Sequence, residues 1–292
     1  MAAFCLVAFF CDLTNGIFNF QGFTIKISEV FEQAKKENRS ALIVFITCGD
    51  PSLDFSEKLV EQICNSGADI VELGVPFSDP MADGPVVQGA CLRALDAKTT
   101  LENVVSMAKR LRERGIEKPF ILSSYFNPIY KFGIEKTVDA CVDADIEAII
   151  ALDLPFEESA EIADIAQPKG VKLIQFSAPA TPLERISKIS ETDSGFMYYA
   201  TVENIECENG KLPQKIATRL SDIRKASKLP VVAGFEIADA EKAHATALEA
   251  DGIVIASKVV DVAYGTFEEK GEAQALVAVD SFIKSLVEAT KR

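Results

Sequence analysis

A single-domain α/β fold, the (β/α)8 or TIM barrel, is predicted from three observations. Eight short apolar runs recur along the chain, each followed by a helical pattern. The runs are continuous in Ile, Val, Leu and Phe rather than alternating, as in strands buried on both faces. They fill the stretch from Ile25 to the C-terminus, close to the length of about 250 residues typical of such barrels. A doubly wound open sheet shares the alternation and stands as the alternative.

The elements follow in order. Lys26 to Asn38 has Val30, Phe31 and Ala34 at helical spacing and precedes the first strand. The strands are expected at Leu42–Ile46, Ile70–Leu73, Phe120–Tyr125, Ala148–Leu152, Lys172–Ser177, Phe196–Ala200, Pro230–Phe235 and Ile253–Ala256. Between them, helical patterns cover Phe55–Asn65, Leu101–Arg114, Ile134–Asp143, Glu157–Ala166, Leu183–Ile189, Leu212–Ala226 and Ala240–Glu249. A last helix runs from about Ala273 to Thr290. No Gly/Ser/Pro-rich linker, repeat or low-complexity tract divides the chain, so residues 25–292 are expected to be one barrel. Residues 1–24 are expected to be an extension outside the core. Their apolar start, Met1 to Cys11, is too short to span a bilayer and lacks the positive start and small-residue cleavage pattern of a signal peptide.

Composition narrows the function. The chain has 292 residues and a formal charge of -14, from 44 acids against 30 bases. That balance disfavours nucleic acid as a partner but leaves room for a small phosphate held by backbone amides. Seven cysteines, with no C-x-x-C pair, argue against a disulfide framework or zinc ribbon and fit a reducing cytoplasm. The single histidine, His244, falls in a helical pattern rich in Ala and Glu and reads as a surface residue. That placement argues against a histidine-based triad, and a single histidine excludes a multi-histidine metal site.

The most informative stretch is Asp69-Ile-Val-Glu-Leu-Gly-Val-Pro-Phe-Ser-Asp-Pro-Met-Ala-Asp-Gly84. Glu72 sits in an apolar strand, where a carboxylate is costly unless paired or used. Asp83 sits on the loop that follows. Two carboxylates at a strand end and its loop can hold different pKa values, which suits acid/base work. A structural ion pair for Glu72 and a turn-forming role for Asp83 before Gly84 are the plainer alternatives. In a barrel the site lies at the C-terminal ends of the strands. The polar residues there are Thr47, Asp50, Glu72, Asp79, Asp83, Tyr125, Asn127, Asp153, Ser177, Thr181, Tyr198, Thr201, Glu236 and Ser257. Three acids, Glu72, Asp83 and Asp153, are expected to converge.

These residues bring a family into view. The chain resembles the α subunit of tryptophan synthase from about Lys26 to its end. The resemblance is carried by Phe45-Ile-Thr-Cys-Gly-Asp-Pro51, Glu72-Leu-Gly-Val-Pro-Phe-Ser-Asp-Pro-Met-Ala-Asp-Gly-Pro85, Tyr125-Phe-Asn-Pro128, Leu152-Asp-Leu-Pro155, Ala180-Thr-Pro182, Gly195-Phe-Met-Tyr-Tyr199 and Gly234-Phe235. It implies a lyase of tryptophan biosynthesis that cleaves indole-3-glycerol phosphate to indole and glyceraldehyde 3-phosphate, without metal or cofactor. It places Glu72 in the acid/base role and Asp83 as acceptor of the indole N–H. Phe45, Val87 and Tyr198 match positions near the indole, and Tyr125 and Asp153 positions in or around the pocket. The implied partner is the pyridoxal-phosphate β subunit, in a heterotetramer, with Asp79 and the Asn127-Pro128 turn facing it.

Departures from the family pattern cluster at the phosphate grip. A Ser-Arg-x-Gly-Val-Thr-Gly type loop becomes Thr201-Val-Glu-Asn-Ile-Glu-Cys-Glu-Asn-Gly210, with Val202 at the arginine position, Glu206 at the threonine position and Cys207 at the last glycine position. Gly-Phe-Gly becomes Gly234-Phe-Glu236, and Gly-Ser becomes Ala256-Ser257. Ala256 keeps its N–H. Glu236 brings an anion to a phosphate position, where like charges in contact cost roughly 1–4 kcal/mol. Two functions remain in view: a working lyase with a rebuilt phosphate site, and a catalytically weak or inactive α-like subunit that binds and regulates a β subunit.

Overall fold

The computed structural model describes residues 24–192, 194–200, 205–207 and 210–292. In chain order the elements begin with α1 (Ile27–Lys36), β1 (Ala41–Thr47), α2 (Leu53–Asn65), β2 (Ile70–Gly74), α3 (Pro85–Asp96), α4 (Leu101–Glu113) and β3 (Phe120–Ser124). They continue with α5 (Phe126–Phe132), α6 (Ile134–Asp143), β4 (Ala148–Ala151), α7 (Ala160–Ala166), β5 (Lys172–Ser177), α8 (Leu183–Ile189) and β6 (Met197–Ala200). The last are α9 (Gln214–Ala226), β7 (Val231–Gly234), α10 (Ala240–Ala247), β8 (Gly252–Ile255), α11 (Ser257–Lys270) and α12 (Glu272–Ala289).

The eight strands close into a barrel in sequence order, and β1 pairs with both β2 and β8, all parallel. This excludes the open sheet. The period-2 geometry of each strand sorts its side chains into two cores. Ile43, Ile70, Ile121, Ile150, Ile174, Phe196, Val232 and Val254 fill the barrel interior. Their neighbours Val44, Val71, Leu122, Ile149, Leu173, Met197, Val231 and Ile253 pack outward against the helices.

The amphipathic α1 closes the N-terminal end of the barrel. Its buried residues, Ile27, Val30, Phe31 and Ala34, join the interior core. Phe31 meets Phe196 edge-on with ring centroids 5.8 Å apart. The Glu147 carboxylate accepts a hydrogen bond from the Ile27 amide at 2.7 Å, which satisfies one of the free N–H groups at the start of α1.

Three helices go beyond the sequence expectation: α3, α5 and α11. The start of α3 carries Pro85 just inside its cap, and Val87, Ala90, Cys91 and Ala94 are buried at helical spacing. Its small residues make that face hard to tell from a loop by sequence. Asn127 and Pro128, expected in a turn, lie in the first turn of α5. His244 is exposed on α10, and its Nδ1 lies 3.1 Å from the Ala289 carbonyl oxygen. Among the described residues no helix is long and apolar enough to cross a membrane. The expectation for residues 1–24 lies outside the described residues up to residue 23.

Candidate active site

Strand parity places Glu72 inside the barrel. It is two residues beyond Ile70, on the same face of β2, and it pairs in register with Phe45 on β1 and Ile121 on β3. The inward residues one layer below are aliphatic except Phe196. At this layer they become Phe45, Glu72, Ser123, Phe176 and Tyr198, which line a cavity of about 680 Å³ at the C-terminal end of the barrel. Asp83, Val87, Gly234, Glu236, Ala256 and Ser257 also line it.

Glu72 is buried (2% exposed), and its Oε1 has no hydrogen-bond partner among the described residues. Among the described residues no cation compensates it, and burial pushes its pKa up to about 8. The carboxyl is therefore held protonated near neutral pH, the state of a general acid. The ion-pair alternative for Glu72 is thereby removed.

Asp83 is placed differently. Burial raises its pKa, and a hydrogen bond from the Tyr125 hydroxyl to Oδ2 at 2.7 Å opposes that rise. The same hydroxyl oxygen accepts from the Ala82 amide at 2.9 Å. Tyr125 is itself buried and does not line the cavity. It holds the loop that carries Asp83. The two carboxyls thus differ in surroundings, as acid/base chemistry requires: one is buried with Oε1 unpartnered among the described residues, and the other is hydrogen-bonded to Tyr125.

The expected third acid does not converge. Asp153 is exposed and absent from the cavity wall, and its Oδ1 accepts from the Phe126 amide at 2.6 Å. From the loop after β4 it satisfies the first free N–H of α5, whose own N-cap Tyr125 supplies no side-chain cap. Thr201, Val202 and Glu203 lie outside the described residues; Glu206 is exposed and Cys207 half-buried against the outer core.

The aromatic walls explain two glycines. A Cβ on Gly234 would sit 2.3 Å from Cε2 of Tyr198, and one on Gly74 would sit 2.6 Å from the Phe45 ring. Both strand ends must be bare for those rings to lie flat against them. Phe176, which the sequence reading passed over, stacks at a tilt on Tyr198 with centroids 4.6 Å apart. Its signal was parity: it lies two residues beyond the inward-facing Ile174.

At the opposite wall, α11 begins at Ser257 and opens its N-terminal end to the cavity through Ala256, Ser257 and Lys258. A helix N-terminus with free amides favours an anion. Two features weaken that preference. Glu236 is exposed on the same cavity wall, and the Lys258 ammonium is engaged by Asp261 at 2.8 Å.

A closed parallel barrel with an uncompensated carboxyl at the floor of an aromatic cavity defines a (β/α)8 protein with its polar cavity at the C-terminal ends of the strands. Residues 31–291 match the family model described as tryptophan synthase alpha chain. The tryptophan synthase alpha chain of Geobacter sp. (strain M21) is 38% identical over 261 residues, covering 89% of this chain and 96% of the relative. That of Geotalea daltonii (strain DSM 22248 / JCM 15807 / FRC-32) is 40% identical over 235 residues, covering 80% and 89%. The crystal structure of tryptophan synthase subunit alpha from Legionella pneumophila str. Paris superposes with a TM-score of 0.83 at 31% identity, covering 90% of this chain and 97% of that one. The chain belongs to the tryptophan synthase alpha chain family.

Proposed function

We propose that this chain is a carbon–carbon lyase that cleaves indole-3-glycerol phosphate to indole and glyceraldehyde 3-phosphate. The observation that carries the reading is Glu72, a buried, protonated carboxyl at the floor of an aromatic cavity. The indole occupies the space between Phe45, Phe176 and Tyr198, and Asp83 accepts its N–H. Protonated Glu72 delivers a proton to indole C3. The carboxylate so formed removes the proton of the glycerol hydroxyl on the carbon next to the bond that breaks. That carbon becomes the aldehyde of glyceraldehyde 3-phosphate, the electron pair of the broken bond returns to the indole ring, and Glu72 ends protonated as it began. Asp83 stabilises the positive charge that the ring carries in between. The pyridoxal-phosphate β subunit is the partner that receives the indole.

Release of indole from indole-3-glycerol phosphate, followed with and without a β subunit, tests the reading. Steady turnover in either condition supports it; no turnover in both overturns it. Glu236 favours the second reading, an α-like subunit of low activity that regulates a β subunit, because it sets an anion beside the α11 N-terminal end. The two separate in one comparison: the regulatory subunit alters β-subunit turnover while releasing no indole itself.

A further inference from the structure

The Arg93 guanidinium joins three segments that frame the cavity without touching it. Arg93 lies on α3, the helix that starts directly after Asp83 and Gly84. Its Nε and Nη2 donate to Oδ1 and Oδ2 of Asp50 at 2.6 and 2.8 Å. Asp50, on the loop after β1, is buried. The face of the same guanidinium lies over the Tyr264 ring, with Cζ 3.4 Å from the centroid. Tyr264 belongs to α11, the helix whose N-terminal end forms the other wall. Asp50, Arg93 and Tyr264 are all absent from the cavity lining. Arginine combines a two-pronged grip on a carboxylate with planar stacking on an aromatic face; a lysine ammonium is a point charge without the fork or the flat face.

We propose that Arg93 is a positioning residue that fixes the separation between Asp83 and the N-terminal end of α11. The inference rests on the reading of the cavity above, in which the indole half of the substrate lies by Glu72 and Asp83 and the phosphate half by Ala256 and Ser257. A ligand that reaches both ends gains from a fixed separation, because its second half binds as an intramolecular event. A fragment that fills one end gains nothing. The clamp therefore acts on the whole substrate and not on its parts, which a purely structural ion pair would not do.

Calorimetric titration with three probes tests this: indole, glycerol 3-phosphate, and 3-(indol-3-yl)propyl phosphate, which spans both ends and cannot be cleaved. The variants are Tyr264→Leu and Arg93→Lys. Tyr264→Leu removes the stack and keeps Asp50 paired, so the fold is retained, as a melting curve will verify. In both variants the spanning ligand should lose roughly tenfold in affinity, while each fragment stays within about twofold of wild type. Equal losses for fragments and spanning ligand would reduce Arg93 to a structural role. An unchanged advantage of the spanning ligand in both variants would overturn the inference and leave the lyase reading intact. Wild-type protein that binds none of the three probes overturns the reading of the cavity, and the clamp with it.

Discussion

Near neutral pH the Glu72 carboxyl is protonated, because burial holds its pKa at about 8 against an ordinary 4.5. The native state thus binds more protons than the unfolded state between these values. Stability is fully present below about 4.5 and falls as pH rises through about 8. Glu72→Gln keeps the shape and removes the titration. The variant should lose indole release by roughly 100-fold or more. Its denaturant midpoint should match wild type at the acid end of the window and exceed it at the alkaline end. Activity of the wild type should fall with an apparent pKa near 8, where the general acid is lost, and urea melts and rates taken across the window check both statements. Activity of the Gln variant within about tenfold of wild type would assign the proton transfer elsewhere.

Two elements at opposite ends of the barrel carry separate expectations. At the closed end, α1 acts as a plug, and Phe31 contributes its ring to the interior core beside Phe196. Phe31→Ala should cost about 3–5 kcal/mol in a urea titration, since the plug cannot sink to fill the gap. At the open end, Glu236 lines the cavity together with the α11 N-terminal end. Glu236→Gly should tighten binding of glyceraldehyde 3-phosphate by removing a like charge and a bulky side chain together. The gain should shrink at high salt, because part of it is Coulombic. Titrations of both proteins at two ionic strengths decide this, and tight wild-type binding unchanged by the substitution would leave the phosphate on other amides. These two elements also differ in how far sequence could describe them. The α1 stripe of Val30, Phe31 and Ala34 was visible as a period. The α11 start was hidden, because Ser257-Lys-Val-Val260 reads equally well as a continuing strand.

At the scale of the whole molecule, two large apolar side chains stand exposed on segments that follow strand C-terminal ends. Met81, on the loop that carries Asp83, is 79% exposed, and Tyr130, on α5, is 63% exposed; both belong to segments that follow strand C-terminal ends. Isolated exposed side chains of this size are unremarkable singly, and their sharing of one end of the barrel is what fits an interface. Met81→Glu and Tyr130→Glu should each weaken association with a tryptophan synthase β subunit, measured by sedimentation, without changing the melting temperature. Unaltered association in both would place the partner on another face.

The sequence by itself determined eight buried strands alternating with helices, and left the barrel and the open sheet to be separated by the pairing of β1 with β8. Eight continuous apolar runs separated by helical periods leave few other topologies, but a run buried on both faces does not show which of its residues point inward, so Phe176 emerged only with the barrel interior. The sequence also determined the family, through the block from Glu72 to Pro85. Tertiary structure alone decided which polar residues at the strand ends meet. Asp83 and Asp153 are both acids on loops after strands, and their local sequences do not distinguish a cavity carboxylate from a helix cap. The same holds for Arg93, whose partners on the β1 loop and α11 lie 43 and 171 positions away along the chain. Hydrophobic patterning is local and survives in one dimension. Hydrogen bonds, stacking and desolvation depend on which segments barrel closure brings together.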